Sequence, residues 1–408
     1  MAINMDEVIN IINDLEIKTN FEILPIENSI GRILAQTIKA KVCLPKFNNS
    51  AMDGYAVLHE DAGKILNIKD TIFAGDENNL LLEKGSTVKI MTGAPIPENC
   101  TAVIPKEDCE IINDTQVKIP DNIKKNLHIR FIGEDINKED ILINKHDEID
   151  FSKITLLSSQ GISHIKVFKK PKIIVFASGE ELKLHYEKAE DYQIFNSNTP
   201  TFISRCLELG CQVDFIGQAH DSIDSIKELI QNSTDADLII TSGGVSVGDA
   251  DFTKDAFKEL DCKNIFEGIK IKPGKPTVFG KIKDTYILNL PGNPLAGALI
   301  FELFGKLIIQ KLLGSNRTYH NFIFAKIGEE LRNKKGRITI IPGFFDGEYF
   351  ISEQKRSPGM VSTLSKCNSI IVLDENVSLL KKDSPVKVLP ISWKFFEKYN
   401  KDFLTNEQ

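Results

Sequence analysis

The sequence predicts a multidomain protein of the α/β plus β class, with a doubly wound α/β domain between two β-rich regions. Short apolar runs of parallel-strand type alternate with helix-like segments between residues 171 and 314, which is typical of a sheet with helices on both faces. Residues 30–145 and 318–392 instead contain short strand-like pieces separated by Gly, Pro, Asn and Asp. A chain of 408 residues also exceeds one ordinary core, so two to four domains are expected.

The composition is that of a soluble globular protein, with 42% apolar and 26% charged residues and a formal net charge of -7. An acidic chain lacks the basic field that guides proteins to nucleic acid. Seven cysteines without a Cys-x-x-Cys pair argue against a disulfide framework or a structural zinc site. The N-terminus carries acids and not a secretory signal, and no apolar run is long enough for a membrane span. We therefore expect a cytoplasmic protein.

The secondary structure follows from local patterns. An amphipathic helix is predicted at residues 5–15, where apolar side chains recur at helical spacing. In the β-rich region "STVKIM" and "TAVIP" predict strands, and in the α/β region "KIIVFAS", "CQVDFIGQ" and "ADLIITS" do so. The α/β region closes with the strand "TYILNL", the turn "PGNP" and a long apolar helix from about 294 to 313. The pieces "SIIVLDE" and "SPVKVLPI" predict a C-terminal β-sandwich or β-barrel.

A glycine-rich turn, "TSGGVSVG" at 241–248, follows one of the predicted parallel strands. Ligands of open α/β sheets bind at such carboxyl ends. Glycines let the backbone approach an anion, the next helix offers unpaired N–H groups, and Ser242 and Ser246 add hydroxyls. A tight turn without a ligand explains "SGG" equally well.

A second turn of the same kind, "LNLPGNPLAG" at 288–297, begins the last helix of the domain. Pro294 suits the first helical position, and Gly292 and Asn293 tolerate unusual backbone angles. The simplest explanation is again the start of a helix. Two such turns in one domain favour a shared anionic ligand.

Basic and acidic side chains accompany these turns. Lys270, Lys272 and Lys275 surround a proline-rich bend, although a lysine cluster is more often a solvated hairpin. Carboxylates follow three successive strands, and these are Glu180, Glu181, Asp221, Asp249 and Asp251. Taken singly, Asp221, Ser222 and Asp251 fit helix N-caps. Taken together, the carboxylates favour a Mg²⁺–phosphate site, because Mg²⁺ prefers oxygen ligands.

Two polar turns lie in the N-terminal β region, "FNNSAMDGYAV" at 47–57 and "IMTGAPIP" at 90–97. They place Asp53 beside a glycine and Thr92 before two prolines. Their spacing alone predicts only turns, since Asp53 fits an Asx-turn as well as a chemical role.

The segments "NSAMDGYAV", "IMTGAPIP", "NSNTP", "TSGGVSVGDADFTK", "IKPGKP" and "LPGNP" occur in this order. In these motifs, and over about its whole length, the chain resembles the MoeA family of molybdopterin molybdenumtransferases, which includes the corresponding domain of gephyrin-type fusion proteins. The resemblance implies an elongated subunit with a linking domain (1–45 and 136–170), an inserted β-rich domain (46–135), an α/β molybdopterin-binding domain (171–316) and a C-terminal β-barrel-like domain (317–408). It also implies a homodimer whose cleft is shared between subunits.

The family reaction implied by the resemblance inserts molybdenum from molybdate into adenylylated molybdopterin with release of AMP, assisted by Mg²⁺. The positions that match acidic or polar cleft residues are Asp53, Thr92, Asp135, Glu181, Asp221 and Asp251. Asp221 and Asp251 are assigned to the metal and Glu181 to orienting substrate or water. The remaining substrate-binding positions are Ser242, Gly243, Gly244, Ser246, Lys272, Lys275, Pro276, Gly292, Asn293 and Ser362.

Three positions depart from the family pattern: Asn48 where Asp is usual, Ala296 where Ser or another small residue is common, and Pro342 in place of an arginine near the oxyanion. Arg356 or Lys366 could replace that arginine. A tungstate-preferring paralogue is therefore one alternative. Others are the adenylyltransferase of the same pathway, which is also an expected partner, and a non-catalytic scaffold.

Overall fold

The structure is a computed structural model that describes residues 2–77, 80–243 and 252–392. The chain divides into two compact units. The first comprises Met1–Ala35, His146–Asp150 and Ile165–Gln408, and the second comprises Gln36–Lys145 and Phe151–His164. The finer four-part division into 1–45 with 136–170, 46–135, 171–316 and 317–408 stays a prediction.

The first unit contains a six-stranded sheet, here called the central sheet. Its strands in spatial order are Gln212–Ala219, Lys172–Ser178, Leu238–Ser242, Thr285–Leu290, Val278–Ile282 and Lys263–Glu267. The first four strands run parallel, and the last two are antiparallel to their neighbours. The alternation of strand and helix signals therefore predicted this architecture correctly.

Both faces of the central sheet are covered, and its inner strands Lys172–Ser178, Leu238–Ser242 and Thr285–Leu290 are mostly apolar and buried on both faces. Ile173 and Ile240 belong to a core that also contains Phe202 and Leu299 from helices on one face. Ile174 and Ile239 belong to a second core, with side chains from helices on the opposite face. Consecutive strand residues point to opposite faces, so a continuous apolar run is what a doubly covered sheet requires.

The helices of the first unit are Met5–Asn13, Asn198–Glu208, Ile223–Gln231, Phe252–Glu259, Pro294–Ile300, Lys306–Leu312 and Ser362–Lys366. The last helix of the α/β region was predicted as one element from 294 to 313. It is interrupted by a π-helical turn at Phe301–Gly305. Such single π turns widen the backbone locally, and periodicity in the sequence does not reveal them.

The C-terminal part of the first unit is a closed five-stranded barrel. The barrel strands in order are Ile338–Phe345, Tyr349–Ser352, Ile323–Ile327, Pro385–Pro390 and Ser369–Leu373, and the last pairs with the first. The barrel alternative of the sequence prediction is thus confirmed over the sandwich. The short strand Ile271–Lys272 joins the edge of the first barrel strand in parallel.

The second unit is built on another six-stranded sheet. In spatial order its strands are Ala102–Pro105, Gly54–Val57, Ser86–Ile90, Ile65–Ile72, Gln116–Lys118 and Glu110–Asn113. Two hydrophobic cores flank this sheet. One core includes Tyr55 and Ile104, and the other includes Ile72 and Ile90. The unit also contains the helix Phe151–Ser159.

The other strands of the described residues are short. They are Phe21–Pro25, Ile38–Lys39, Asn49–Ser50, Ile129–Arg130, Ile141–Ile143, His164–Phe168, Leu182–Lys183, Ile194–Phe195, Leu331–Arg332 and Leu379–Leu380. Single 3-10 turns occur at Ile26–Asn28, His59–Asp61 and Lys106–Asp108. Within the described part of the chain, no helix has the length and apolar character needed to cross a membrane.

Candidate active site

The two glycine-containing turns predicted from the sequence meet at the carboxyl edge of the central sheet. Gly243 has a φ of +101°. A Cβ at this position would lie 2.7 Å from the carbonyl oxygen of Ser178 on the neighbouring strand. A Cβ on Gly292 would in turn lie 3.4 Å from the Cα of Gly243. At Gly243 only a residue without a side chain allows this backbone conformation and approach, whereas Gly292 lies in ordinary van der Waals contact with Gly243, and so the two turns touch.

A buried asparagine ties the two turns together. Asn198 Nδ2 donates to Ser242 Oγ at 2.7 Å and to the Gly292 carbonyl at 2.8 Å. Asn198 is the first residue of the helix Asn198–Glu208 and is 9% exposed. Sequence reasoning quoted this residue only within the motif "NSNTP" and assigned it no role. Its hydrogen bonds join segments almost a hundred residues apart, which no local pattern indicates.

The helix after the second turn does not offer the free N–H groups that the sequence led us to expect. Leu295 N and Ala296 N donate to the carbonyl oxygen of Pro358, at 3.0 and 3.3 Å. These amides are therefore occupied by the protein itself. The exposed turn residues Gly292 and Asn293 differ, because their N–H groups have no partner among the described residues. An anion at this turn would bind to those two amides.

The carboxylates form a second cluster at the same edge of the sheet. Ser222 caps the helix Ile223–Gln231 by accepting from Ser225 N at 3.2 Å. This leaves Asp221 free of the capping role, and its Oδ2 accepts from Glu180 N at 3.3 Å. The N-cap alternative is thus correct for Ser222 and wrong for Asp221.

Glu181 folds over the same backbone segment. Its two carboxylate oxygens lie 2.9 Å from where a Cβ on Gly179 would stand. Gln218 Nε2 fixes the segment by donating to the Gly179 carbonyl at 2.5 Å and to the Leu182 carbonyl at 3.1 Å. An open cavity of about 540 Å³ lies here, and its lining includes Gln218 and Glu180.

The described carboxylates are too few for a metal site made of protein ligands alone, but they suit a cation that phosphate also coordinates. No three acidic, histidine or cysteine side chains within residues 2–77, 80–243 and 252–392 come together in a metal-binding group. Asp221 and Glu181 nevertheless both lie against the backbone of residues 179–180. One or two carboxylates are what Mg²⁺ usually takes from a protein when phosphates and water complete its shell. The residues present therefore fit Mg²⁺ in this manner.

The lysine-bearing bend has a backbone that packs against the domain, while its lysine side chains are exposed to solvent. A Cβ on Gly274 would lie 2.2 Å from Ile300, so the bend packs directly against the helix Pro294–Ile300. Thr277 Oγ1 donates to the Gly274 carbonyl at 2.8 Å. Lys272 and Lys275 are exposed, and neither ammonium group forms an ion pair with a described carboxylate. The bend thus presents two positive charges from a rigid backbone.

The C-terminal barrel contributes the positions near residue 342 and Ser362. Pro342 is buried in the strand Ile338–Phe345 and cannot supply a charge. Ser362 is exposed at the first position of the helix Ser362–Lys366, whereas Thr363 is buried and donates to the Lys355 carbonyl. Ser362 is therefore available to a ligand and Thr363 is not.

Within the second unit, Asp53 and Thr92 come together. Asp53 Oδ1 accepts from both Thr92 N and Thr92 Oγ1, each at 2.8 Å. These hydrogen bonds, the backbone one first, hold the pKa of Asp53 below its ordinary value. Asp135 is exposed, and Asn48 Oδ1 accepts from Ile132 N at 2.8 Å. The amide at position 48 thus has a structural role.

Three predicted site residues, Gly244, Ser246 and Asp251, lie outside the described residues, as does Asp249. Of the others, Ser242, Gly243, Gly292 and Asn293 form one group. Asp221 and Glu181 form a second group, and Lys272, Lys275 and Pro276 lie on one bend.

Comparison with known proteins gives similarity along almost the entire chain. The family model for the MoeA N-terminal region (domain I and II) matches residues 3–161, and the model for a probable molybdopterin binding domain matches residues 174–311. A molybdopterin molybdenumtransferase of Haemophilus influenzae is 33% identical over 394 residues, covering 93% of this chain and 96% of the relative. One of Staphylococcus epidermidis is 30% identical, with 91% of each chain covered. The crystal structure of the molybdopterin biosynthesis MoeA protein from Pyrococcus horikosii superposes with a TM-score of 0.82 at 30% identity, covering 96% of this chain and 99% of that one.

Proposed function

The chain belongs to the MoeA family of molybdopterin molybdenumtransferases, and from this we infer that it is the transferase of molybdenum cofactor biosynthesis that acts on a molybdopterin substrate. The observation that carries the inference is the junction of the Gly243 and Gly292 turns at the carboxyl edge of the central sheet. Anionic ligands of α/β domains bind at this edge. We propose that the substrate is adenylylated molybdopterin, that molybdate supplies the metal, and that AMP is released.

The turns would bind the anionic part of the substrate. Gly292 and Asn293 contribute unpaired amides. Ser242 and Gly243 lie next to them, and Asn198 links the two turns by hydrogen bonds to Ser242 and Gly292. Gly244 and Ser246 belong to the same proposed cradle by sequence. Preorganised backbone donors stabilise developing charge without reorganising during the reaction.

The carboxylates would act on the phosphate side of the substrate. We propose that Asp221 and Asp251 hold Mg²⁺ and that Glu181 orients substrate or water. When bound, Mg²⁺ would neutralise phosphate charge and polarise the phosphoanhydride. Asp221 is kept in position by Glu180 N, so its second oxygen is left to serve a ligand.

The oxyanion side would be formed by Lys272, Lys275, Pro276 and Ser362. The rigid bend fixes the backbone from which the two exposed lysine side chains extend, and a compact positive charge binds oxyanions without a directional requirement. The choice between molybdate and tungstate is part of this proposal. Competition between the two anions during AMP release would reveal the preference.

A homodimer in the cytoplasm, with a cleft shared between subunits, completes the proposal. Asp53, Thr92 and Asp135 would then act on a substrate bound by a second subunit. This part has its own test, which is to mix inactive Asp53→Ala and Asp221→Ala variants. Shared sites predict that mixed dimers recover up to about one quarter of the activity by random pairing. If mixing recovers nothing although mixed dimers form, each subunit carries complete sites.

The decisive assay combines the purified protein with adenylylated molybdopterin, molybdate and Mg²⁺, and measures AMP and molybdopterin-bound molybdenum. Release of AMP with insertion of molybdenum is the expected result. Formation of the adenylate from ATP would instead identify the adenylyltransferase alternative. Absence of both reactions in a folded protein would favour the scaffold.

A further inference from the structure

A cavity of about 180 Å³ lies in the first unit, between the helix Lys306–Leu312, the segment 317–321 and the C-terminal barrel. Among the described residues, those of the two glycine turns and of the lysine-bearing bend do not line it. Lys306 is roughly 20 Å from Gly292 along the helical segment between them, at about 1.5 Å per residue. Since a cavity of about 150 Å³ holds benzene, this one has room for a ligand of roughly six heavy atoms.

One cation in the lining of this cavity lacks a counter-ion. Lys306 is half-buried, and its ammonium group has no hydrogen bond or ion pair with any residue that the structure describes. The other lysine, arginine and carboxylate side chains of the lining are paired. Arg317 Nη1 donates to Glu148 Oε2 at 3.2 Å, and Glu302 accepts two hydrogen bonds from Arg205, at 2.6 and 3.0 Å. The one uncompensated positive charge favours a monoanionic ligand.

His320 adds a neutral ring with a free acceptor. Its Nε2 must carry the proton, because it lies 2.7 Å from the Leu303 carbonyl oxygen, which can only accept. Burial lowers the pKa of His320, the hydrogen bond to Leu303 opposes this, and the nearby charge of Lys306 lowers the pKa further. The ring is therefore neutral at pH 7, and Nδ1 is left to accept a hydrogen bond, since no described residue donates to it.

The rest of the lining supplies an uncharged donor and an apolar wall. Gln310 follows Lys306 by four residues on the same helix, so the two side chains lie on one face. The side-chain amide of Gln310 has no partner in the described part of the chain. Leu307 and Ile370 are buried and belong to a hydrophobic core of the first unit, and Leu389 packs against that core. Polar and apolar groups thus face the same small space.

We propose that this cavity binds a small α-hydroxy monocarboxylate and is a second ligand site of the protein, separate from the substrate site. The carboxylate pairs with Lys306 and accepts from Gln310, the hydroxyl donates to His320 Nδ1, and the short alkyl group contacts the apolar wall. A phosphate or sulfate dianion suits the cavity less well, because it carries a second negative charge and offers no proton to the acceptor. The site does not depend on the proposed function, since none of its side chains takes part in it.

The test is NMR titration of the full chain with lactate, which has six heavy atoms. It is read on the ring signals of His320, which are identified by their loss in His320→Gln. We expect saturable shifts. Lactamide carries a neutral amide in place of the carboxylate and should bind about ten- to hundredfold more weakly, because hydrogen bonds to a charged group are lost.

Lys306→Gln should weaken lactate binding by a similar factor, because it removes the unpaired charge and keeps a polar side chain. Lys263→Gln is the matched control. Lys263 is also a lysine without a partner among the described residues, but it is exposed and does not line the cavity. This control should bind lactate like the wild type.

The proposal is overturned if lactate does not shift the His320 signals, if lactate and lactamide bind equally well, or if folded Lys306→Gln binds lactate like Lys263→Gln. The comparison of lactate with lactamide uses the wild type, so it decides the question even if Lys306→Gln has a lowered melting temperature. Since the titration involves no turnover, its outcome is independent of AMP release. Lactate binding without AMP release would refute only the proposed function, and AMP release without lactate binding would refute only this site.

Discussion

Replacing Asn198 by alanine should loosen the junction of the two turns. The change removes hydrogen bonds of 2.7 and 2.8 Å, to Ser242 Oγ and to the Gly292 carbonyl. Each contributes roughly 0.5–1.5 kcal/mol net, so we expect a loss of about 2 kcal/mol. Since one kcal/mol corresponds to about 2–4 °C for a large domain, the melting temperature should fall by roughly 4–8 °C.

The functional effect of Asn198→Ala should exceed the effect on stability. Displacement of one turn by about 1 Å can cost on the order of 100-fold in rate, so AMP release should fall by a comparable factor. Calorimetry and the AMP assay measure the two effects. Asn67→Ala is a suitable control, because it removes one exposed hydrogen bond from Gln116. If Asn198→Ala has the same melting temperature and the same rate of AMP release as this control, Asn198 does not hold the two turns together.

Three further predictions concern the same sites. Gly243→Ala should lower the melting temperature and AMP release, because φ is +101° and a Cβ would lie 2.7 Å from a carbonyl oxygen; a fully active variant would contradict the close approach. Thr92→Val should raise the pKa of Asp53 only part of the way to its ordinary value, because the hydrogen bond from Thr92 N, which lowers this pKa most, remains. The native carboxylate pKa is depressed, so this pair stabilises the fold above the unfolded pKa, and the contribution is lost as the pH falls through the folded pKa; NMR titration would show an unchanged pKa if the hydroxyl were irrelevant. Asp221→Asn should raise the Mg²⁺ concentration needed for half-maximal AMP release with little change in stability. Ser222→Ala should leave the Mg²⁺ requirement unchanged and cost about 1 kcal/mol of stability. A loss of stability in Asp221→Asn and none in Ser222→Ala would show that Asp221 is the N-cap.

The fold was predictable where its signals are local. Parallel strands covered on both faces give continuous apolar runs, and the helices between them show their own period. The π turn at Phe301–Gly305 escaped prediction because it changes hydrogen bonding without changing composition. Local patterns could not decide between a sandwich and a barrel, since closure depends on the pairing of Ile338–Phe345 with Ser369–Leu373; only the resemblance to a family implied the barrel.

The site was predictable to the extent that residue type limits backbone geometry or carries charge. Gly243 could be selected because only glycine permits its backbone angle and close approach, and Asp53 and Thr92 because their motifs resemble those of a family. Asn198 and Pro358 were not selected, because their roles arise from contacts between distant segments. A proline carbonyl has no signature in the sequence, since every residue has one.

The occupied helix N-terminus changes how anion binding at the second turn should be understood. A free helix start would provide several amides and a partial positive charge. Here Pro358 takes the N–H groups of Leu295 and Ala296, which leaves the amides of Gly292 and Asn293. Full positive charges must then supply most of the attraction, and the attraction of exposed charges is weakened by salt. Affinity for the oxyanion, which the proposed function places at the exposed Lys272 and Lys275, should likewise fall steeply with ionic strength in the wild type and less steeply in Lys275→Gln, as dialysis at two salt concentrations would measure.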